Sequence, residues 1–181
     1  MATNTAQLLI ILGAPASGKT TLARRLGEDL CLPILSKDDV KEALLDVLEC
    51  ADRETSRRFS DASFAALVRL ARTQLSAGVS CIVEGNWRAE HAPVLRDVLP
   101  DDPACAAQIR CRADPREIVR RFSSRRRHAG HLDALFSAGE LAAAAAEPPG
   151  YLDLGGPRWG YESDAAGAYE DLLTRVKSWR L

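Results

Sequence analysis

At 181 residues the chain falls in the size range of one domain, long enough to bury a core and too short for two ordinary domains with a linker. Apolar residues at 46% and charged residues at 27% exclude disordered, collagen-like and fibrous classes, and the longest apolar runs fall far short of the roughly 20 residues a membrane helix needs. Basic and acidic residues nearly cancel, 24 against 25, so any affinity for nucleic acid or anionic lipid has to be local. Met1 to Gln7 carries no basic segment followed by a long apolar stretch, which reads as no secretory signal and a cytoplasmic protein. Five cysteines with no C-x-x-C pair suggest free thiols rather than a disulfide framework or a zinc site.

Gln7 to Leu12 is a short run rich in Leu and Ile that ends in glycine, the pattern of a fully buried strand. After Gly18, Leu22, Leu26 and Leu30 recur at fourfold spacing with charges between them, which predicts an amphipathic helix. The alternation repeats, with predicted strands at Pro33 to Leu35, Ser80 to Val83, Ala107 to Cys111 and Arg158 to Tyr161. Helical patterns fill the gaps at Asp39 to Leu48, Thr55 to Ala77, Ala89 to Val98, Pro115 to Arg125 and Ala165 to Trp179. Strands alternating with helices predict an α/β fold with a mostly parallel sheet covered on both faces, because parallel strands need crossover connections. Glu147 to Gly160, with three prolines and four glycines, reads as loop. Charge is sorted along the chain: Arg110 to Arg127 holds eight arginines against Asp114 and Glu117, and Asp133 to Asp171 holds eight acids against Arg158.

Between the first strand and the first helix stand Gly13, Ala14, Pro15, Ala16, Ser17, Gly18, Lys19 and Thr20, which fit G-x-x-x-x-G-K-[ST] without exception. Glycines let the backbone curl so that successive N–H groups point inward, and the helix N-terminus adds its positive dipole end. The expected occupant is a polyphosphate, with Lys19 on the β- and γ-phosphates, the Thr20 hydroxyl on Mg²⁺ and Thr21 near the α-phosphate. A GTPase is excluded because its D-x-x-G and N-K-x-D motifs find only the loose matches D-L-G-G at Asp153 and S-K-D-D at Ser36, in the wrong order. A transport ATPase is excluded by the lack of L-S-G-G-Q and of an apolar run ending in Asp-Glu.

Lys37-Asp38-Asp39-Val40-Lys41 follows the second strand directly. In open parallel sheets ligands bind beyond the carboxyl ends of the strands, so Asp38 is expected near the γ-phosphate, where it can accept the proton of an incoming hydroxyl. Either aspartate can instead cap the following helix, and one role for each residue, catalysis for Asp38 and capping for Asp39, satisfies both readings.

The G-x-P-x-S-G-K-T loop, the S-K-D-D-x-x-K segment, the E-G-N turn at Glu84 to Asn86 and the arginine helix resemble the small P-loop kinases of the AAA_33-type ATP-binding group. Similar members are the 5′-kinase domain of polynucleotide kinases, the chloramphenicol phosphotransferases and the zeta toxins. The resemblance implies a three-layer P-loop NTPase fold, a parallel five-stranded sheet with helices on both faces and an arginine-bearing lid at about residues 121–147 of one domain spanning 1–181. It implies that Asp38 is the base, that Lys37 stands where an arginine would, and that Lys41 contacts substrate. Glu84 stands where an aspartate is usual, and the implied contact with Mg²⁺ runs through water, against a plain turn carboxylate. Arg121 and Arg125, one turn apart after the Asp114-Pro115 helix start, resemble the R-x-x-x-R pair that opens the lid of adenylate-kinase-like enzymes. There Arg121 would stack on adenine and Arg125 would meet the transferring phosphoryl, against the alternative of a solvated basic face. Asn86, Trp87 and Arg88 follow the third strand at the crevice edge, where Trp87 either stacks on substrate or packs on the next helix. The expected activity is transfer of a phosphoryl group from ATP, with Mg²⁺, to a hydroxyl of a small molecule such as an antibiotic, sugar or nucleoside. The alternatives are a polynucleotide 5′-hydroxyl kinase, which the near-zero net charge disfavours, and a nucleotide-dependent switch that hydrolyses ATP to change partners.

Overall fold

The apolar run at the start of the chain is strand β1 (Leu8–Gly13), buried along its whole length in a computed structural model that describes residues 6–99, 102–125, 128, 131, 137–146 and 149–179. Side chains alternate across a strand, so Leu8, Ile10 and Leu12 face one apolar layer with Phe64, Leu67 and Leu95, while Leu9 and Ile11 face the other with Leu22, Leu26 and Val176. Both faces are covered, which is why the run shows no polar alternation. Each fully buried Leu or Ile contributes about 1.5–3 kcal/mol, so this central strand anchors both halves of the core.

Four more strands, β2 (Ile34–Ser36), β3 (Cys81–Glu84), β4 (Ala106–Arg112) and β5 (Arg158–Glu162), join it in the order β2-β3-β1-β4-β5, and every neighbouring pair is parallel. The connections are helical: α1 (Lys19–Leu30), α2 (Lys37–Leu45), α3 (Arg53–Ser76), α4 (Ala92–Arg96), α5 (Pro115–Ser124) and α6 (Ala138–Ala146), with α7 (Ala168–Ser178) after the last strand. This is the three-layer α/β architecture of P-loop proteins. No helix among the described residues is long and apolar enough to cross a membrane.

Several elements differ from their sequence expectation for local reasons. The helix expected over Ala89 to Val98 divides into a 3₁₀ turn at Ala89–His91 and a short α4 that carries Pro93 in its first turn. The helix expected to begin at Asp39 begins at Lys37, because Ser36 caps it. Helix α6 was not expected, since an alanine run has no amphipathic period, yet alanine has the highest helix propensity and a capping box opens the helix. Ser137 N donates to Glu140 Oε2 at 2.7 Å, and Glu140 N donates to Ser137 Oγ at 3.1 Å.

The loop-rich stretch before β5 is fastened to the sheet. Gln108 of β4 is fully buried, donates from Nε2 to Leu152 O at 2.9 Å and accepts from Leu152 N at 2.7 Å, while Leu152 and Leu154 join the core. Replacing Gln108 by Leu orphans the Leu152 N–H, whereas Leu152 O keeps Arg158 at 3.3 Å. Gln108→Leu is therefore expected to cost about 1–3 kcal/mol in urea unfolding, and an unchanged midpoint contradicts the clamp.

Candidate active site

The turn after β1 is built by backbone constraint. Gly13 has φ of 152°, and a Cβ there would sit 2.5 Å from Cys111 O, so only glycine allows β1 and β4 to approach as they do. Ala16 and Gly18 also take positive φ, 60° and 93°, and the chain enters α1 with no side chain capping it and no acidic residue in its first turn. The first N–H groups of this 12-residue helix are thus left for a ligand, and Ser17 Oγ beneath them is buried with no hydrogen-bond partner among the described residues. Lys19 lies across the loop, its Nζ donating to Ala14 O at 2.8 Å. An uncapped helix start, a curled loop and a buried ammonium fit a polyphosphate.

Sheet register sets the neighbouring carboxylate. Glu84 at the end of β3 pairs with Ile11 on one side and Ser36 on the other. It is 3% exposed, and its Oε2 accepts from Thr20 Oγ1 at 3.2 Å and from Ser36 Oγ at 3.1 Å. Burial pushes the Glu84 carboxyl above its ordinary range, Lys19 and the two hydroxyls oppose the shift, and Asp38 adds to it. Thr20 and Glu84 offer only oxygen donors, which fits Mg²⁺. No cluster of three or more His, Cys, Asp or Glu occurs among the described residues, and a Mg²⁺ ion that shares phosphate oxygens needs none.

Ser36 also accepts from Asp39 N at 3.4 Å as the N-cap of α2. This corrects the expectation that Asp39 caps the helix: both aspartates lie in the first turn, Asp39 exposed, Asp38 paired with the buried Lys37 Nζ at 3.2 Å. Lys41, one turn on, is buried and donates to Ser56 Oγ at 2.7 Å and Ser60 Oγ at 3.1 Å of α3.

Asp114 and Pro115 open α5 as expected, with Asp114 accepting from Arg116 N at 2.8 Å. Arg121 donates to Glu117 Oε1 at 2.7 Å and reaches back to Ser163 Oγ at 2.8 Å, above Gly18. Hydrogen bonds from Arg120 and Arg121 hold the Glu117 carboxyl down to about 2. Arg125 stands just past the helix end with its guanidinium 4.0 Å from the Phe122 ring centroid. Beyond it, His128 meets Asp46 at 3.2 Å and His131 meets Glu42 at 2.7 Å, so these two residues contact α2 and its C-terminal end. Much of the expected lid, including Arg126, Arg127 and Glu147, lies outside the described residues.

These groups surround one crevice of 840 Å³, within the usual size of a ligand cleft. Pro15, Ala16, Gly18, Lys19, Thr20 and Thr21 line it from the loop, and Lys37, Asp38 and Lys41 line it from α2. Glu84, Asn86 and Arg88 face it from β3, and Arg121 and Arg125 from the α5 side; Gly13, Ala14 and Ser17 lie beneath. Trp87 is the correction: it is fully buried, 4.8 Å from the Phe64 ring and edge-on to His91 at 5.6 Å, so it packs the core and does not line the crevice. The sequence reading did not single out Arg57, Ser56 and Ser60 of α3, nor His91, all of which line it. A polar stripe at fourfold spacing on α3 was the only signal for the three α3 residues.

A model of the family AAA_33, described as an AAA domain, matches residues 8–149. A Chloroflexus aurantiacus protein of known crystal structure, provisionally named a kinase, is 31% identical over 97% of this chain and 98% of its own, with a TM-score of 0.85. A Janibacter sugar kinase (18% identity, TM-score 0.60, 96% of this chain and 94% of its own) shares the fold. So does the Mycobacterium tuberculosis APS kinase solved with AMPPNP and APS (16%, TM-score 0.61, 97% of each chain). An uncharacterized M. tuberculosis protein is 29% identical over 174 residues, covering 92% of this chain and 33% of its own. The chain thus spans about a third of the length of the curated relatives it matches.

The raised carboxyl of Glu84 has a consequence for stability. A group whose folded pKa lies above its unfolded value contributes stability at low pH that is lost as pH rises through the folded value. In metal-free buffer at neutral pH, Glu84→Gln, which keeps an acceptor for both hydroxyls, is therefore expected to melt at or above the wild-type temperature. The difference should fade as pH falls toward the ordinary carboxylate range; a clear drop in Tm at neutral pH contradicts the assignment.

Proposed function

The chain belongs to the AAA_33 family within the P-loop kinase group, and on that premise we propose that it transfers the γ-phosphoryl of ATP to a hydroxyl of a small-molecule acceptor, with an antibiotic, a sugar or a nucleoside as the candidate classes. The observation that carries this reading is the position of Asp38, at the mouth of α2, on the same crevice as Lys19 and Thr20.

The chain's groups divide the work by chemistry. The loop N–H groups and Lys19, whose ammonium exchanges the Ala14 carbonyl for phosphate oxygens, hold the β- and γ-phosphates. Thr20 Oγ1 and Glu84 are the residues that would hold Mg²⁺, which supplies neutralisation of phosphate charge. Asp38 accepts the proton of the acceptor hydroxyl as its oxygen bonds to the γ-phosphorus and the bond from that phosphorus to the ADP oxygen breaks. Lys37, by its salt bridge at 3.2 Å, orients the Asp38 carboxylate for that step. Arg121, held by Glu117 and Ser163 above Gly18, supports the adenine end, and Arg125 meets the charge on the transferring group. Lys41, Asn86 and Arg88 contact the acceptor.

An acceptor screen read by ADP release tests this. Lys19→Ala is expected to lower turnover by about 10²-fold or more while its circular dichroism matches the wild type. Turnover near the wild-type rate in that variant overturns the reading.

A further inference from the structure

The α3 side of the crevice has its own composition. Its wall is one stripe of α3, on which Ser56, Ser60 and Phe64 follow at fourfold spacing with Arg57 and Asp61 beside them, faced by Arg88 and His91 after β3. Arg57 and Arg88 make no salt bridge among the described residues, although Asp61 and Glu90 line the same wall. The acids of the neighbouring wall are engaged elsewhere: Asp38 meets Lys37, and Glu84 accepts two hydroxyls. Beneath them the buried ammonium of Lys41 donates to the Ser56 and Ser60 hydroxyls, so positive charge lies at the floor as well as at the rim. His91 adds a neutral donor. Arg88 N donates to its Nδ1 at 2.9 Å, which leaves the ring proton on Nε2, and the ring lies 4.2 Å from that of Phe64. Burial lowers the imidazole pKa, against the pull of Glu90 and Asp61.

We propose that this wall is an anion subsite, and that the acceptor is a small molecule carrying an anionic oxygen group, a carboxylate or a phosphate ester, gripped by Arg57 and Arg88 while its hydroxyl faces Asp38. The inference rests on the kinase reading above and narrows it to charged acceptors. Two guanidiniums offer planar forks that match carboxylate and phosphate oxygens, which a neutral sugar has no means to use. A recess shared by α3 and the turn after β3, in a chain of near-zero net charge, suits a compact anion better than a polynucleotide backbone, which needs an extended basic track.

The test is calorimetric titration of the protein saturated with AMPPNP and Mg²⁺, so that the phosphate loop is already filled. The probes are glucose against gluconate and glucose 6-phosphate, glycerol against glycerate, and a short DNA oligonucleotide. The subsite predicts that at least one anionic probe binds about tenfold or more tightly than its neutral partner, with gluconate and glucose 6-phosphate separating carboxylate from phosphate ester. Arg57→Ala and Arg88→Ala should each weaken that probe about tenfold and leave AMPPNP affinity unchanged, whereas Arg58→Ala, on the next position of α3 and outside the crevice, should bind as wild type. Equal binding of neutral and anionic partners, no binding of any anionic probe, wild-type binding by both arginine variants, or preference for the oligonucleotide each overturns the subsite. Parallel ADP-release assays keep the two readings apart. Release with neutral acceptors alone overturns the subsite and leaves the kinase standing. Arginine-dependent anion binding without ADP release from any acceptor overturns the kinase and leaves the subsite standing.

Discussion

Two hydroxyls donated to one buried carboxylate connect the parts of this site. Glu84 takes Thr20 from the helix that follows the phosphate loop and Ser36 from the end of β2, and Ser36 in turn caps the helix that carries Asp38. The loop, the third strand and the first turn of α2 are thereby held in one relative position. Desolvation of that carboxylate is opposed by Lys19 and the two hydroxyls but not fully offset, so its pKa is left raised. Functional sites are where such shifts concentrate, and a carboxyl carrying one beside the phosphate loop fits a place among the metal-binding groups. The register that pairs Glu84 with both Ile11 and Ser36 is set by apolar packing of β1 and β3 well below the crevice.

The second constraint is backbone approach. Gly13 lets β1 come against Cys111 of β4, and the positive φ at Ala16 and Gly18 turns the chain sharply enough to start α1 directly above the strand ends. On the far side, Arg121 closes over Gly18 through Glu117 and Ser163, and His128 and His131 meet Asp46 and Glu42. Around the crevice, Lys41, Glu84 and Arg121 are thus held in place by hydrogen bonds.

Much of this was legible in the sequence, and the misses have physical causes. The first three strands were readable to within a residue because each is a short run of mostly apolar residues, and the loop motif specifies its own geometry. Ser36, Asp38 and Asp39 are all good capping residues within four positions, and local preference does not say which one faces the helix N–H groups; the sheet register decided for Ser36. Trp87 stands between two crevice residues, but its neighbours Asn86 and Arg88 point outward while it turns under them against Phe64. Helix α6 lacks an apolar period, although its S-x-x-E start was present in Ser137 and Glu140. Arg57 and Ser60 stayed invisible because a polar stripe on a long helix looks solvated until the tertiary fold sets another wall opposite it.

Which carboxylate takes the proton is decided by the first turn of α2. Asp38 and Asp39 share one helical turn, but Asp38 lines the crevice with Lys37 as its partner and Asp39 faces solvent. The direct measurement is single-turnover phosphoryl transfer, with ATP affinity determined separately, in Asp38→Asn and Asp39→Asn against an acceptor the wild type uses. The structure predicts a loss of about 10²- to 10⁴-fold in the chemical step for Asp38→Asn with ATP affinity retained, and near-normal transfer for Asp39→Asn. Full activity in Asp38→Asn, or loss confined to Asp39→Asn, contradicts it.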